Sequence, residues 1–290
     1  MKKCAHCGRE HPDEAIRCVV DGELLPTLEP QAAGSRAETG ATPGSPVPVS
    51  PTSEGGQVPH GTFSDRRMRV FEIVLLSALA FASSYLGSAY RLWTGVLPGA
   101  GTDRSLSRLN ALLHEGASLG LLWYILMRRS KTFSDIGLSW RNRDFGVSIL
   151  LSVASTIASA VVHGAIVAAG LSSASRSEYA RVGDYLFGGG ITSTMIIFAF
   201  VNPFFEELIV RAYVMTEVKA LTGSAAIAIM ASTLLQMGYH FYQGAPLAFS
   251  HGAAFLVFSI YYAKTKRIMP VILAHLFGDV GGALMYALRH

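Results

Sequence analysis

The sequence predicts an all-α fold: a polytopic transmembrane bundle of about seven helices, preceded by a small N-terminal module. Half of the 290 residues are hydrophobic and only 15% are charged, whereas soluble globular domains carry about 25% charged residues. After position 65 the apolar residues form long runs, and a run of about 20 residues is enough to cross a bilayer. The loops between these runs are short and rich in Lys and Arg, which is typical of a membrane protein.

The first 26 residues contain all three cysteines of the chain. Cys4-x-x-Cys7 forms one knuckle, and Cys18-x-x-Asp21 has the same spacing with a carboxylate in the last position. Because an odd number of cysteines cannot pair completely within one chain, the spacing favours a metal site. So short a segment buries too little apolar surface to fold alone, and tetrahedral zinc would supply the missing stability. The segment resembles a zinc-ribbon module with Cys4, Cys7, Cys18 and Asp21 as its ligands.

Two alternatives to this zinc site stay open. His6 or His11 could supply the fourth ligand in place of Asp21, or the segment could be a decayed ribbon that binds no metal. A site closed by its protein ligands leaves no position for a substrate. We therefore expect the module to dock a cytoplasmic protein partner and to take no part in catalysis.

Residues 27–64 are predicted to be a disordered linker. Pro, Gly, Ser and Thr dominate this stretch without any apolar periodicity, so it cannot offset the entropy cost of becoming ordered. No apolar signal-peptide core follows the polar start of the chain, and the N-terminal segment is therefore expected to stay in the cytoplasm. The membrane domain is expected to cover residues 65–290.

Seven apolar segments are predicted to span the membrane: 70–90, 106–127, 145–169, 191–217, 224–242, 247–263 and 268–288. The second is interrupted by Asn110, His114 and Glu115, so we expect it to line a cavity or to lie partly at the membrane interface. Basic clusters precede the first segment and follow the second and the sixth. With seven spans, all three clusters face the same side as the N-terminus, as the positive-inside rule expects. The basic loops that set the membrane orientation thus account for the net charge of +4. Since the positive charge is explained in this way, no nucleic-acid partner is expected.

The fourth segment contains three ionisable residues, and charge inside a membrane span is costly and usually functional. Glu206 and Glu207 are adjacent and project about 100° apart on a helix, so we expect them to do different jobs. Glu207 and Arg211 are four residues apart, share a face and can pair, which leaves Glu206 free. Pro203 lacks a backbone N–H and is expected to kink the helix just before the carboxylates.

The fifth and seventh segments each add a histidine. His240 lies near the end of the fifth segment, and His275 stands four residues before Asp279 in the seventh. One Glu and two His from three helices would form either a metal site or a general base with an oxyanion-stabilising group. Counted along straight helices at about 1.5 Å per residue, His275 and His240 lie near opposite membrane faces. One of their segments must therefore be kinked, re-entrant or differently bounded.

The order of these residues resembles that of the CPBP family of membrane proteases. This family groups type II CAAX prenyl endopeptidases with bacteriocin-processing and bacteriocin-immunity (Abi) proteins, and its motifs are Glu-Glu-x-x-x-Arg, Phe-x-x-x-His and His-x-x-x-Asn/Asp. In this chain the motifs stand within residues 191–290 as Glu206-Glu207-Leu208-Ile209-Val210-Arg211, Gln236-Met237-Gly238-Tyr239-His240 and His275-Leu276-Phe277-Gly278-Asp279.

The resemblance implies a division of roles. Glu206 and His240 would activate the attacking water, and His275 with Asp279 would stabilise the oxyanion, while the Glu207–Arg211 pair would hold the helix in place. In the metalloprotease version of this hypothesis, Glu206, His240 and His275 hold a zinc ion in the membrane site. The departure from the family is Gln236, which replaces the Phe of the second motif and puts a polar group one turn from His240.

The implied function is an intramembrane endopeptidase, a metalloendopeptidase of the CPBP type, that hydrolyses peptide bonds in a membrane-associated protein or peptide. Its expected partners are membrane lipid and a substrate that could be C-terminally lipidated, and its expected location is a bacterial inner membrane. Two alternatives remain. One is a non-enzymatic immunity-like factor or scaffold, in which the same residues form a structural polar core. The other is a transporter or proton relay, although no inverted repeat is evident.

Overall fold

A computed structural model describes residues 2–3, 10–11, 62–97, 103–171, 176–188 and 192–289. The chain divides into two compact units, Met1–Gly56 and Gln57–His290. In the first unit, strand β1 (Lys2–Lys3) pairs antiparallel with β2 (Glu10–His11).

The predicted zinc ligands, Cys4, Cys7, Cys18 and Asp21, lie outside the described residues, as does the predicted linker up to residue 61. The zinc site and the disorder of the linker therefore stay predictions. The first helix of the second unit begins at Thr62, three residues before the predicted start of the membrane domain.

The second unit is helical throughout its described part, which confirms the predicted all-α bundle. Its α-helices are α1 (Thr62–Thr94), α2 (Arg104–Arg128), α3 (Asp144–Ala168), α4 (Arg176–Phe187), α5 (Ser193–Glu206), α6 (Thr216–Thr222), α7 (Ala225–Tyr239), α8 (Ala245–Thr265) and α9 (Met269–Ala287). Three other helical segments join them: 3₁₀ turns at Phe133–Ile136 and His240–Gln243, and a π-helical segment at Glu207–Met215. Each of the seven predicted spans coincides with one of these helices or continuous helical runs, whereas α4 was not predicted.

Five helical runs in the described ranges are long and apolar enough to cross a membrane: Asp65–Thr94, Asp144–Ala168, Ser193–Thr222, Ala245–Thr265 and Met269–Ala287. The other two predicted spans correspond to α2 and α7. Helix α2 is long enough, but Arg108, His114 and Glu115 make it polar. Helix α7 has only 15 residues and is thus about 22 Å long, shorter than the hydrocarbon core of a bilayer at about 30 Å.

Local sequence explains where several of these helices begin and end. Asp103, Thr192 and Ser224 precede α2, α5 and α7, and each accepts a hydrogen bond from a backbone N–H of the first helical turn, as an N-cap residue does. Helix α6 ends at Gly223, whose φ of 71° is the left-handed conformation that glycine adopts at helix ends.

The π-helical segment Glu207–Met215 is the centre of the second unit. All nine of its residues are buried, and it packs against α1, α7 and α8. The change from α to π hydrogen bonding begins four residues after Pro203, which lies inside α5 and cannot donate a backbone hydrogen bond. The sequence predicted a kink at this point, and the structure shows a widened helix that continues without a break. π-Helical turns are rare and occur frequently at functional sites.

An ion-pair cluster joins α1, α2 and α6 at one end of the bundle. Arg129 bonds both Glu72 of α1 and Glu217 of α6, and both carboxylates are buried. Arg128 reaches Glu72 at 2.6 Å and Arg69 reaches Glu217 at 3.0 Å. Buried carboxylates need such cationic partners. The basic residues that indicated membrane orientation in the sequence therefore also hold α1, α2 and α6 together.

The loop between α2 and α3 packs on the turn between α8 and α9. Gly137 has a φ of 95°, its carbonyl accepts a hydrogen bond from the Ile268 N–H, and a Cβ built at this position would lie 2.2 Å from the Lys266 carbonyl oxygen. The backbone N–H of Thr132 donates to Asp135 and holds the pKa of that carboxyl below its usual range. The α2–α3 loop therefore makes a specific contact with the turn between α8 and α9.

We predict that Gly137→Ala lowers the melting temperature clearly more than Gly223→Ala. Both positions are left-handed, which costs an alanine about 1–2 kcal/mol, but no atom lies within 4 Å of a Cβ at Gly223. Only Gly137→Ala adds a backbone clash. Thermal unfolding of the purified proteins in detergent measures the difference, and equal shifts would show that the loop does not pack as described.

Candidate active site

Glu206, the last residue of α5, lies against α7 and is only 7% exposed. The side-chain amide of Gln236 donates to its Oε2 at 2.7 Å, and the Tyr239 hydroxyl donates to the same oxygen at 2.8 Å. Both donors are neutral, and both bonds use Oε2. Oε1 of Glu206 receives no hydrogen bond from a described residue, so it is the oxygen left for another ligand.

His240 begins the short turn that follows α7, and helix α1 holds this turn in place. The Ser88 hydroxyl donates to the Tyr239 carbonyl at 2.9 Å and accepts from the Tyr242 N–H at 3.0 Å. The Tyr85 hydroxyl donates to the Leu235 carbonyl one turn earlier, at 2.7 Å. These bonds satisfy backbone groups that the end of α7 leaves without helical partners, and they fix the position of the imidazole.

The hydrogen bond of the His240 ring determines its neutral tautomer. Nδ1 lies 2.8 Å from the Gln236 carbonyl oxygen, and because a carbonyl can only accept, Nδ1 carries the proton. Nε2 of the neutral ring is then an unprotonated acceptor. The ring is buried and interacts electrostatically with Glu206 and with His275, so its free nitrogen is suited to act as a base.

Glu207, the first residue of the π-helical segment, is fully buried and joins a guanidinium and an imidazole. Its Oε2 pairs with Nη1 of Arg211, and its Oε1 accepts from Nδ1 of His275 on α9 at 2.8 Å. The Arg211 guanidinium also lies 5.4 Å from the ring centres of Phe255 and Phe258, within the range of cation–π contact. Glu207 therefore does more than hold its own helix, because it also orients an imidazole on α9.

Asp279 lies on the other side of His275. Its Oδ1 is 3.7 Å from Nε2 of that ring. His275 thus has a carboxylate beside each ring nitrogen.

The structure brings the predicted residues into one region. Gln236 links Glu206 to His240, because its side-chain amide donates to Glu206 and its backbone carbonyl accepts from the His240 ring, and Glu207 bonds His275 directly. The expected difference in depth between the two histidines stays a prediction. Helix α7 ends after 15 residues, and His240, in the turn that follows it, is buried.

Sequence reasoning did not assign three contributors to this site: Tyr239, Ser88 and Tyr85. One of them carried a signal, since Tyr239 is adjacent to His240. Ser88 and Tyr85 lie about 150 residues away from the turn that they hold, and no local pattern marks them. Gln236, noted as a departure from the family motif, bonds Glu206 directly.

The predicted zinc ligands of the membrane site do not form a metal-binding group as they are placed. Nδ1 of His240, Nδ1 of His275 and Oε2 of Glu206 are hydrogen-bonded, so the atoms that would hold a metal are Nε2 of each ring and Oε1 of Glu206. Across the described ranges, no three His, Cys, Asp or Glu side chains lie close enough together to hold a metal ion. We therefore derive the chemistry of this site from its own side chains.

These features define an integral, multi-pass membrane protein with a buried Glu–His site among its helices. Residues 188–281 match the family model described as type II CAAX prenyl endopeptidase, Rce1-like, and this stretch contains all three motifs. The match covers about a third of the chain and confirms the resemblance inferred from the motifs. No curated protein and no solved structure matches the chain.

The two adjacent carboxylates should differ sharply in their effect on stability. We predict that Glu207→Gln lowers the melting temperature strongly, because it leaves Arg211 without its ion-pair partner in a fully buried site, a loss that costs about 3–5 kcal/mol. Glu206→Gln should leave the melting temperature within a few degrees of wild type, since it removes no ion pair in the described residues.

Thermal unfolding in the same detergent compares the two variants. The double variant Glu207→Gln/Arg211→Met should recover part of the loss, because it also removes the unpaired cation. Equal destabilisation by Glu206→Gln and Glu207→Gln would contradict the assignment of Glu207 as the ion-paired residue.

Proposed function

We propose that this protein is an intramembrane endopeptidase that hydrolyses peptide bonds of a membrane-associated protein or peptide. The family match supports a CAAX-type intramembrane endopeptidase in general. The observation that carries the finer proposal is the environment of Glu206. This buried carboxylate is held by two neutral donors and has one free oxygen, within electrostatic range of His240 and His275.

In the first step Glu206 and His240 activate a water molecule. Oε1 of Glu206 or Nε2 of His240 accepts a proton from the water as its oxygen attacks the carbonyl carbon of the scissile bond. The C=O bond opens to a tetrahedral oxyanion. Glu206 and His240 are buried, and removal of these groups from bulk water strengthens the electrostatic contacts that guide this step.

In the second step His275 stabilises the oxyanion. Glu207 holds Nδ1–H of His275, and an N–H at Nε2 of the protonated ring donates to the oxyanion. Asp279, beside Nε2, supports the ring in that orientation. The tetrahedral intermediate collapses as the C–N bond breaks, and the proton taken from water passes to the leaving amine.

An apolar groove beside α5 supports the proposal that the substrate carries a lipid group. Nine residues from α2, the α2–α3 loop, α5 and the π-helical segment line this groove of about 620 Å³: Leu119, Gly120, Trp123, Phe133, Leu138, Phe200, Val201, Phe204 and Leu208. Phe200, Phe204 and Leu208 are spaced four residues apart and present one apolar stripe to this groove. A C-terminally lipidated chain could place its apolar group here.

For the location we propose a bacterial inner membrane with the N-terminus in the cytoplasm. The Glu72–Arg129–Glu217 cluster gathers the start of α1, the end of α2 and α6 at one end of the bundle. Positive charge collected at one end supports the orientation expected from the positive-inside rule. The N-terminal module would then meet a cytoplasmic protein partner.

The proposal predicts that Glu206→Gln and His240→Asn each lower peptide hydrolysis by at least about 10²-fold, since each removes a general base. The assay uses purified, reconstituted protein with internally quenched peptides, both lipidated and unlipidated. Asp65→Asn is the matched control, because it neutralises an exposed carboxylate outside the site. If folded Glu206→Gln and His240→Asn proteins cleave as fast as wild type, the proposal is wrong and a structural polar core becomes the better explanation.

Metal analysis separates the two proposed zinc sites. We expect about one zinc per chain, which Cys4→Ser/Cys7→Ser removes and Glu206→Ala/His240→Ala leaves in place, because the membrane residues do not form a metal-binding group as placed. Elemental analysis of the purified proteins measures the ratio. Loss of zinc only from Glu206→Ala/His240→Ala would instead place the metal in the membrane site and support a metalloprotease.

A further inference from the structure

The ion-pair cluster that joins α1, α2 and α6 contains more basic groups than its two buried carboxylates need. Four basic side chains lie within 3.8 Å of Glu72 or Glu217: Arg69, Arg128, Arg129 and Lys131. With Asp65 included, which pairs with Arg69 at 2.9 Å, these four cations still exceed the three carboxylates by one. Arg129 alone contacts both buried carboxylates, so neither Arg128 nor Lys131 is the sole partner of its carboxylate.

Arg128 and Lys131 form the accessible edge of this cluster, and we call these two side chains the basic rim. They are 45% and 38% exposed, whereas the side chain of Arg129 is only 13% exposed. One nitrogen of Arg128 donates to Glu72, and the Lys131 ammonium lies 3.8 Å from Glu217, too far for a hydrogen bond. The rim therefore keeps N–H donors and positive charge for a ligand that approaches from outside the bundle.

The turn that follows α2 fixes the two side chains of the rim. Ser130 has a φ of 52°, a left-handed conformation that is uncommon outside glycine. The N–H groups of Ser130 and Lys131 donate to the carbonyls of Met127 and Leu126 at 2.9 and 2.8 Å, so the last turn of α2 holds the reversed chain. The rim is therefore a built feature of the helix end, and its two cations are presented at the same corner of the bundle.

Exposed apolar side chains continue up to the rim on both helices. At the start of α1, in a run apolar enough to cross a membrane, Met68 and Phe71 are exposed. At the end of α2, Tyr124 and Met127 are exposed, and Met127 directly precedes Arg128. A hydrocarbon chain that covers these side chains brings its headgroup to the rim. A water-soluble anion would use the charge alone, so this continuity favours a lipid as the ligand.

We propose that the basic rim binds the phosphate group of an anionic phospholipid in the leaflet at which α1 begins. The Lys131 ammonium and the two nitrogens of Arg128 that do not bond Glu72 donate to the phosphate oxygens, while the acyl chains lie on the exposed apolar side chains of α1 and α2. Basic residues beside a membrane helix attract anionic lipids, by roughly fivefold in affinity for each residue. Because the cluster joins three helices, the bound lipid stabilises their contact. This interface goes beyond the proposed function and does not depend on it.

The test compares two lipids that differ only in the headgroup. Native mass spectrometry of the full chain in a neutral detergent measures the affinities for dioleoylphosphatidylglycerol, which is anionic, and for dioleoylphosphatidylcholine, which has no net charge. Wild type should bind the anionic lipid at least about fivefold more tightly. Arg128→Gln/Lys131→Gln should bring the two affinities within about twofold of each other, because it removes the rim while Arg129 still pairs with both buried carboxylates.

Arg141→Gln/Arg143→Gln is the matched control. It removes the same charge from two exposed arginines of the α2–α3 loop, which take no part in the ion-pair cluster, and it should keep the full preference. Lys131→Gln alone breaks only the 3.8 Å contact with Glu217 and should lose part of the preference, even if the double variant folds poorly. Equal affinity of wild type for both lipids, an unchanged preference in folded Arg128→Gln/Lys131→Gln, or an equal loss in the control overturns the lipid site.

Competition distinguishes the lipid from a water-soluble anion. Inorganic phosphate and a hexaglutamate peptide offer negative charge without acyl chains, so neither should displace the anionic lipid from wild type. If the peptide displaces the lipid, the rim is a docking site for an acidic protein segment and the lipid proposal is wrong. A protein that cleaves no peptide but selects the anionic lipid through the rim keeps this site and loses the peptidase function, and the reverse result does the opposite.

Discussion

Glu207, wholly buried between Arg211 and His275, is the group on which the arrangement of the second unit depends most. It joins the π-helical segment to α9 through one ion pair and one hydrogen bond, while the Arg211 guanidinium rests between two aromatic rings of α8. Breaking a buried pair leaves an uncompensated charge and costs about 3–5 kcal/mol. Typical domains are stable by only about 5–15 kcal/mol, so three helices depend on this carboxylate for their relative placement.

The continuous run from α5 through the π-helical segment explains how two adjacent carboxylates reach different neighbours. Glu206 ends the α-helical part and contacts Gln236 and Tyr239 on α7, whereas Glu207 begins the π-helical part and contacts His275 on α9. Packing on all sides of the π-helical segment holds the two side chains in fixed directions. The backbone thus directs two adjacent side chains, the structural carboxylate and the proposed base, toward different helices.

The helical bundle could be predicted from the sequence because apolar runs report directly on membrane burial. The candidate site was accessible because ionisable residues are rare in such runs, so Glu206, His240 and His275 stood out against an apolar background. Long-range contacts were not accessible. Nothing local shows that Ser88 on α1 holds the turn of His240, or that Glu207 bonds an imidazole 68 residues later. The count of spans was also difficult to predict. Helix α7 is shorter than its apolar run, and α2 is more polar than a typical membrane-spanning helix.

The site divides its charges unequally, and this division determines what each carboxylate can do. Arg211 pairs with Glu207 and His275 donates a hydrogen bond to it, whereas Glu206 accepts its hydrogen bonds from an amide and a hydroxyl. A buried carboxylate in an ion pair is tied to its partner, because separating the two would leave an uncompensated charge. Glu206 has no ion-pair partner among the described residues, so its second oxygen is available for the proposed proton transfer.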